Sequence, residues 1–304
     1  MQVMKAFKFR LYPNKEQQTA LAVQFGHARY VYSRFLQVRR DHFHTSGEGL
    51  SYQDTTVRLT ALKRSPDHEW LREADSQGLQ QSLKDLDRAF RNFIEGRSGN
   101  PGFKSRRARQ AIRDPQRVKV DSETKRSYLP KVGWVKTRFH RSLEGKVKNV
   151  TVSRTKSGRY SISFQVEEQI AEPVSRGEMV GIDLGLKHFA VLSDGRKIAN
   201  PRNPIRAERR LRRLQRQLSG KQKGSQGWEK QRLKIARQHE KVANRRADFQ
   251  HKLSRSMVDA YGYVALEDLH IQGLVSPVSP GMVGIHPVRF AQHAGQRWKR
   301  CPCR

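Results

Sequence analysis

Carboxylates are scarce in this sequence. Its 304 residues hold 28 Asp and Glu against 61 Lys and Arg, a net charge of +33. A compact chain with that excess repels itself, so a polyanion is its expected partner, and nucleic acid is the first candidate. The cations are spread along the whole chain, which favours a body built around nucleic acid over a domain with one basic arm. Cysteine is nearly missing, with Cys301 and Cys303 the only two. They cannot staple a fold of this size, which points to a reducing compartment, the cytoplasm. Nor is C-x-C the C-x-x-C pair of a structural zinc site, so no zinc site is expected. No run of about 18 apolar residues occurs, and MQVMKAFKFRLYP has no apolar signal-peptide core. No membrane partner is expected.

What is present divides by period. In MKAFKFRLY, Phe7, Phe9 and Leu11 alternate onto one face of a strand, and Pro13-Asn14 breaks it, with Asn14 placed to cap a helix. Leu21, Phe25, Ala28, Tyr32 and Phe35 then recur at helical spacing. So do Leu79, Leu83, Leu86, Phe90 and Phe93, with Gly96 ending that stripe. The aromatics on these stripes read as core. GRSGNPGFKSRRARQ is a basic loop, in which Lys104, Arg106 and Arg107 are candidate phosphate contacts. KNVTVSRTKSGRYSISFQVEE is a hairpin turned at Ser157-Gly158. The helical residues from 14 to 96 thus sit between a first strand and later ones, as if inserted into a β domain.

MVGID, HFAVLS and RKIAN form an antiparallel meander, turned at Asp194-Gly195. Residues 205–261 then read as two antiparallel basic helices parted by SGKQKGSQG. Leu211, Leu214 and Leu218 mark one stripe, and Leu233, Ala236, Val242, Phe249, Leu253 and Val258 the other. Arg206, Arg209, Arg210, Arg212, Arg213 and Arg216 crowd the first helix, a density that favours phosphate contact over a merely solvated face. A last apolar strand, Tyr263 to Leu266, runs into Glu267 and Asp268.

Two apolar strands therefore end on acids, Asp183 and Glu267, 84 residues apart. An unpaired buried carboxylate is costly, so a cation is expected at such a place. Hard divalent ions take carboxylate and phosphate oxygens, and a pair of them can clamp the attacking and leaving oxygens of phosphoryl transfer. A strand-end acid can also simply cap the next turn. A sugar-kinase-like ATPase opens with a similar strand, Asp and Gly, but has no need of this charge or of a basic helical hairpin.

VGIDLGLKHFAVLSDG, the basic hairpin and VALEDLHIQGL, in that order, resemble the RuvC-like nuclease core of the TnpB family, transposon-encoded RNA-guided DNA endonucleases related to type V CRISPR effectors. MKAFKFRLYPNKEQ, HARYVYSRFL, GLQQSLKDLDRAFRNF, GNPGFKSRR and LPKVGWVK extend the resemblance over residues 1–274. The resemblance implies a multidomain α+β and α/β fold. Residues 1–13 and 97–175 would form a wedge-like β-barrel, 14–96 an inserted helical recognition lobe, and 176–274 an incomplete RuvC (RNase H-like) domain containing the hairpin 205–261. It implies a guide RNA and target double-stranded DNA as partners, Mg2+ or Mn2+ as cofactor, Asp183 and Glu267 as catalytic metal ligands, and a nucleoid-associated setting in a prokaryote. Tyr52 and Gln80 fall in recognition-lobe segments and are candidate contacts to a flanking DNA motif. The oligomeric state is not legible.

The family pattern goes on to a zinc-binding pair of C-x-x-C pairs and a third catalytic Asp, whereas no Asp or Glu follows Asp268 here. Residues 275–304, with prolines at 277, 280, 287 and 302, show neither period and read as an aberrant unstructured tail of a truncated or frameshifted copy. Impaired cleavage with retained nucleic-acid binding is the expectation. The alternative is a nuclease-inactive RNA-guided DNA-binding protein that acts by occupancy, as a repressor does.

Overall fold

The computed structural model describes residues 2–114, 116–169, 178–185, 187–201 and 203–266, the side chains of 203–206 excepted. The chain divides into two compact units, residues 1–170 and 171–304. The expected tail at 275–304, with Cys301 and Cys303, lies outside the described residues, as do Glu267 and Asp268.

Unit 1 opens with strand β1 (Gln2–Tyr12), in which Phe9 and Leu11 are buried and Phe7 half-buried, as the alternation predicts. Asn14 then caps helix α1 (Lys15–Ser46): its side chain accepts from Gln17 N while the Gln17 side chain accepts from Asn14 N. That reciprocal box satisfies two of the donors every helix start leaves open. Helix α1 runs unbroken for 32 residues and takes part in two cores. Its first half sets Leu21, Phe25 and Ala28 against the sheet. Its second half sets Val31, Tyr32, Phe35 and Leu36 against Leu79, Leu83 and Leu86 of α3 (Ser76–Ile94).

Between them come helix α2 (Tyr52–Leu62) and a 3-10 helix (Pro66–Glu73), neither of which the sequence reading separated. Their periods are short, but their caps are plain: Ser51 and Asp54 form a second reciprocal box. Phe93, read as the last residue of the α3 stripe, is instead 42% exposed, because the helix outruns the core it packs on.

Strands β2 (Gln110–Asp114), β3 (Lys119–Asp121), β4 (Arg126–Leu129), β5 (Gly133–Arg138), β6 (Lys146–Arg154) and β7 (Tyr160–Gln169) join β1 in one sheet, ordered β2-β6-β7-β1-β5-β4-β3. It is a curled half-barrel with β2 and β3 at its ends. The hairpin β6–β7 pairs as expected, burying Val150, Val152, Tyr160, Ile162, Phe164 and Val166, and Gly158 turns it with φ of 80°. Strand β1 lies between β7 and β5, so the helices α1 to α3 are an insertion between β1 and the rest of its sheet. Gly78 lets α3 approach β2, since a Cβ there would stand 2.6 Å from Ile112 Cδ1.

Unit 2 holds the meander β8 (Met179–Asp183), β9 (His188–Leu192) and β10 (Lys197–Ala199), then α4 (Asn203–Ser219), α5 (Gln226–Ala260) and β11 (Tyr263–Leu266). Its sheet order is β10-β9-β8-β11, with β11 parallel to β8. The C-terminal end of α5 covers one face, where Met257 and Tyr261 join Val180, Ile182, Ala190 and Leu192 in a core. The buried residue is Met257, not the expected Val258, which is 36% exposed, because the stripe steps by four from Phe249 through Leu253. Helices α4 and α5 pack side by side through half-buried Leu211, Leu214 and Leu218, and through buried Gln231, whose amide donates to Leu214 O and Gln217 Oε1 at 3.0 Å each.

Two carboxylates are buried where α3 meets β2. Asp75 caps α3, accepting from Gln77 N and Gly78 N, and its own N–H donates to Gln24 Oε1 of α1. Asp114 of β2 has an Oδ1 without a hydrogen-bond partner, and burial, then repulsion from Asp75, pushes its pKa up from 3.8 to about 7. A raised carboxyl binds its proton more tightly in the folded state, so this group's contribution to stability is fully present below about pH 4 and is lost as pH rises to about 7. Asp114→Asn keeps the shape and removes that penalty. It is expected to stabilise unit 1 by on the order of 3 kcal/mol at about pH 8 and to give no gain near pH 4, read from denaturant unfolding of both proteins across that range.

Candidate active site

Asp183 ends β8. Along this strand Val180 and Ile182 are buried, so Gly181 and Asp183 occupy the opposite face, where Met179 is 72% exposed. That face is open at the carboxylate. Gly181 keeps it bare: its N–H donates to Ser193 Oγ and its carbonyl accepts from Ser193 N, but it offers no side chain beside Asp183. Gly181 stands two residues before the acid, a spacing that puts both on one face of the strand. At Gly185 a Cβ would lie 3.2 Å from His188 O, a tight fit.

Asp183 is exposed, and among the described residues its side chain makes no ion pair or hydrogen bond. A turn-capping role for it is not realised. In a chain with more than twice as many cations as acids, a carboxylate without a partner at a strand tip is a free pair of hard oxygen donors.

The second acid is approached through β11. The parallel register pairs Tyr263 with Met179, Val264 with Val180, Ala265 with Gly181 and Leu266 with Ile182. The next residue on β8 is Asp183. The next in the sequence after Leu266 is Glu267, which lies outside the described residues. No group of three or more His, Cys, Asp or Glu that could hold a metal occurs among the described residues.

Two contacts outside the predicted set place β11. Glu178 O accepts from Gly262 N and Tyr263 N, at 3.0 and 3.2 Å. The buried Tyr261 donates its hydroxyl to Asp194 Oδ2 at 2.6 Å, and Arg196 Nε donates to the same oxygen at 2.6 Å. Bonding from the Arg196 backbone, then its side chain, holds Asp194 below the usual carboxylate range. The sequence marked Asp194 only as a turn residue, and nothing in its spacing signals a partner 67 residues away.

The candidate nucleic-acid contacts fare unequally. Arg209, Arg210, Arg213 and Arg216 on α4 are exposed and make no ion pair among the described residues. Arg212 is held by Glu208 at 2.6 Å, and the side chain of Arg206 is outside the described set. In the basic loop the Lys104 ammonium rests 3.8 Å from the Tyr32 ring centroid. The residue as a whole stays exposed, yet desolvation of that ammonium lowers its pKa, so Lys104 is engaged with α1 and does not project freely. Arg106 and Arg107 are exposed. Tyr52, half-buried against the helical core, has Lys84 Nζ 5.7 Å from its ring, while Gln80 is exposed on α3.

Similarity places the chain. It is 39% identical over 276 residues to the Escherichia coli (strain K12) protein named "Putative RNA-guided DNA endonuclease InsQ", a match spanning 90% of this chain and 68% of that one. The chain is a member of the TnpB family. A Streptomyces pristinaespiralis protein named "Putative RNA-guided DNA endonuclease" is 37% identical over 277 residues, 90% of this chain and 69% of its own. Residues 161–276 match a family model described as "Probable transposase", and residues 1–48 one described as a "Helix-turn-helix domain". In this chain those first residues form β1 and the single continuous helix α1. A solved Cas12f chain from a ternary complex is 15% identical with a TM-score of 0.33, a likeness too slight to argue from; the match covers 83% of this chain and 63% of that one. Among the described residues no helix is long and apolar enough to cross a membrane.

The Tyr261 contact makes a direct expectation. In Tyr261→Phe the corner between α5 and β11 loses its tie to the β9–β10 turn. Amide hydrogen exchange of Tyr263–Leu266 should then accelerate several-fold, with the sheet of unit 1 unchanged.

Proposed function

We propose that this chain is an RNA-guided DNA endonuclease of a transposable element, of a kind that cuts DNA by Mg2+-dependent phosphodiester hydrolysis, with cleavage impaired in this chain by the want of a third acid after Asp268. One observation carries the reading: β8 and β11 run parallel and in register up to the residue before each acid, and Asp183 stands open on the uncovered face. Family membership supports it, since the relatives reported above each bear a name beginning "Putative RNA-guided DNA endonuclease".

Asp183 and, by continuity of the register, Glu267 are the carboxylates that would hold Mg2+ or Mn2+. The donor set fits, because Asp183 offers unpaired carboxylate oxygens and a bare glycine beside them leaves room for a phosphate. A hard divalent ion held there supplies Lewis acidity toward a phosphodiester and activates water. Asp183 contributes charge and a fixed position, set by its pairing with Val191 and by the core beneath Ile182. The exposed arginines of α4 bind backbone phosphates, which orients a strand without reading its bases. Within this reading the curled sheet of unit 1 is the wedge-like barrel, α1 to α3 the recognition lobe, and unit 2 the RuvC-like domain. Guide RNA and target double-stranded DNA are its partners, and the family's zinc has no cysteine pair among the described residues to hold it.

The test is cleavage by the purified chain carrying the RNA that accompanies it from its host. Whatever weak Mg2+-dependent cutting of a matched duplex the chain retains is expected to fall to background in Asp183→Ala, with RNA binding unchanged. Cutting that survives the substitution would overturn the site. A loaded protein that occupies matched DNA and never cuts it would instead favour the occupancy reading. Arg213→Gln should weaken binding evenly across sequences and reduce the slope of log K against log salt by about 1.

A further inference from the structure

The outer face of the unit 1 sheet has a composition that the nuclease reading leaves unused. Arg10 of β1 pairs in register with Arg138 of β5, and Tyr12 with Lys136. Across β5, Lys136 faces Arg126 of β4, and Trp134 faces Tyr128. Tyr128 in turn faces Lys119 of β3. Paired residues of an antiparallel ladder share a face, so four adjacent strands present three aromatics set among cations. The alternate residues, Leu11, Val135, Thr137 and Leu129, are buried on the other side. Tyr12 and Trp134 are 47% and 41% exposed, and the Trp134 and Tyr128 rings meet edge to face at 5.6 Å. Asp121 lies on this face opposite Arg126, but its oxygens already accept from Glu123 N, Thr124 N and Thr124 Oγ1. Those bonds and the nearby Arg126 keep it ionised, so it offsets one cation and leaves Arg10, Lys119, Lys136 and Arg138 in excess on this face.

Such a face suits one class of nucleic acid. Aromatic rings stack on exposed bases while neighbouring cations hold phosphates. Reading a duplex requires a helix or ribbon that enters a groove, and a sheet face offers neither. Unpaired bases can lie flat on a sheet, which is how single-stranded RNA is commonly taken up. We propose that this face of β1, β5, β4 and β3 is a stacking platform for unpaired RNA, with Trp134 and Tyr128 against the bases and Lys136 and Arg138 on the phosphates. The choice of RNA over a DNA strand rests on the RNA-guided reading; the stacking geometry does not.

The experiment is equilibrium binding of the full chain to an unstructured adenosine oligoribonucleotide of about twelve residues, a length within the usual site sizes. Trp134→Ala should weaken binding about tenfold with the salt slope unchanged, because stacking is lost and no phosphate contact is. Trp134→Phe, which keeps a ring, should stay within about threefold of the parent. Lys136→Gln with Arg138→Gln should instead flatten the salt slope by about 1.4. Trp134→Ala binding like the parent, or Trp134→Phe losing as much as Trp134→Ala, overturns the platform. A deoxyadenosine oligomer binding as tightly as the RNA overturns its assignment to RNA. The assay involves no cleavage, so an inactive nuclease leaves it intact, and a guided nuclease indifferent to Trp134 would defeat the platform alone.

Discussion

Strand β1 is the piece on which unit 1 depends. Its eleven residues pair on one side with β7 and on the other with β5, strands that begin at residues 160 and 133. The sheet cannot be completed until segments more than a hundred residues apart meet, a closure cost in chain entropy that burial of its shared core, Phe9, Leu11, Ile162 and Phe164 among it, helps to offset. Everything inserted between β1 and β2 is therefore fixed at both ends by one sheet.

Charge is the second constraint. With so few carboxylates, where each is used has consequences. Asp87 holds Arg39 and Arg91, Asp54 closes a helix cap, Asp75 caps α3, and Asp194 anchors Tyr261. Asp114 and Asp183 stand outside that structural service, in opposite ways. Asp114 is sealed in and holds its proton to about pH 7, while Asp183 stands open and unpaired on a strand tip. Burial separates the two: one holds its proton well above the usual carboxylate range, the other is exposed at a strand end.

The sequence was most legible where periodicity was long. Leu21 to Phe35, the Val150 to Val166 hairpin and the meander around Asp183 each repeat a pattern enough times to overrule local accidents. Strands β2 to β5 stayed hidden because they are only three to six residues long and are turned by Arg117, Lys125 and Lys131 at positive φ, residues that carry no turn signal. Helix α2 has too few turns to show a period, and at the end of α5 the spacing from Phe249 and Leu253 selects Met257 over Val258. The position of Asp183 at a strand end was readable from an apolar strand ending in a charge. The Tyr261–Asp194 tie was not, since a contact across 67 residues leaves no local trace.

Helix α1 carries a mechanical consequence. Thirty-two residues without a break make a rod on the order of 48 Å long, with neither proline nor a kink to bend it. Residues Leu21 to Ala28 are embedded in the core of the sheet and Val31 to Leu36 in the core of the inserted helices. A load applied to the inserted helices is thus delivered to the sheet as torque, with no joint in α1 to absorb it. The two cores share one shaft, and unit 1 responds to strain as a single body.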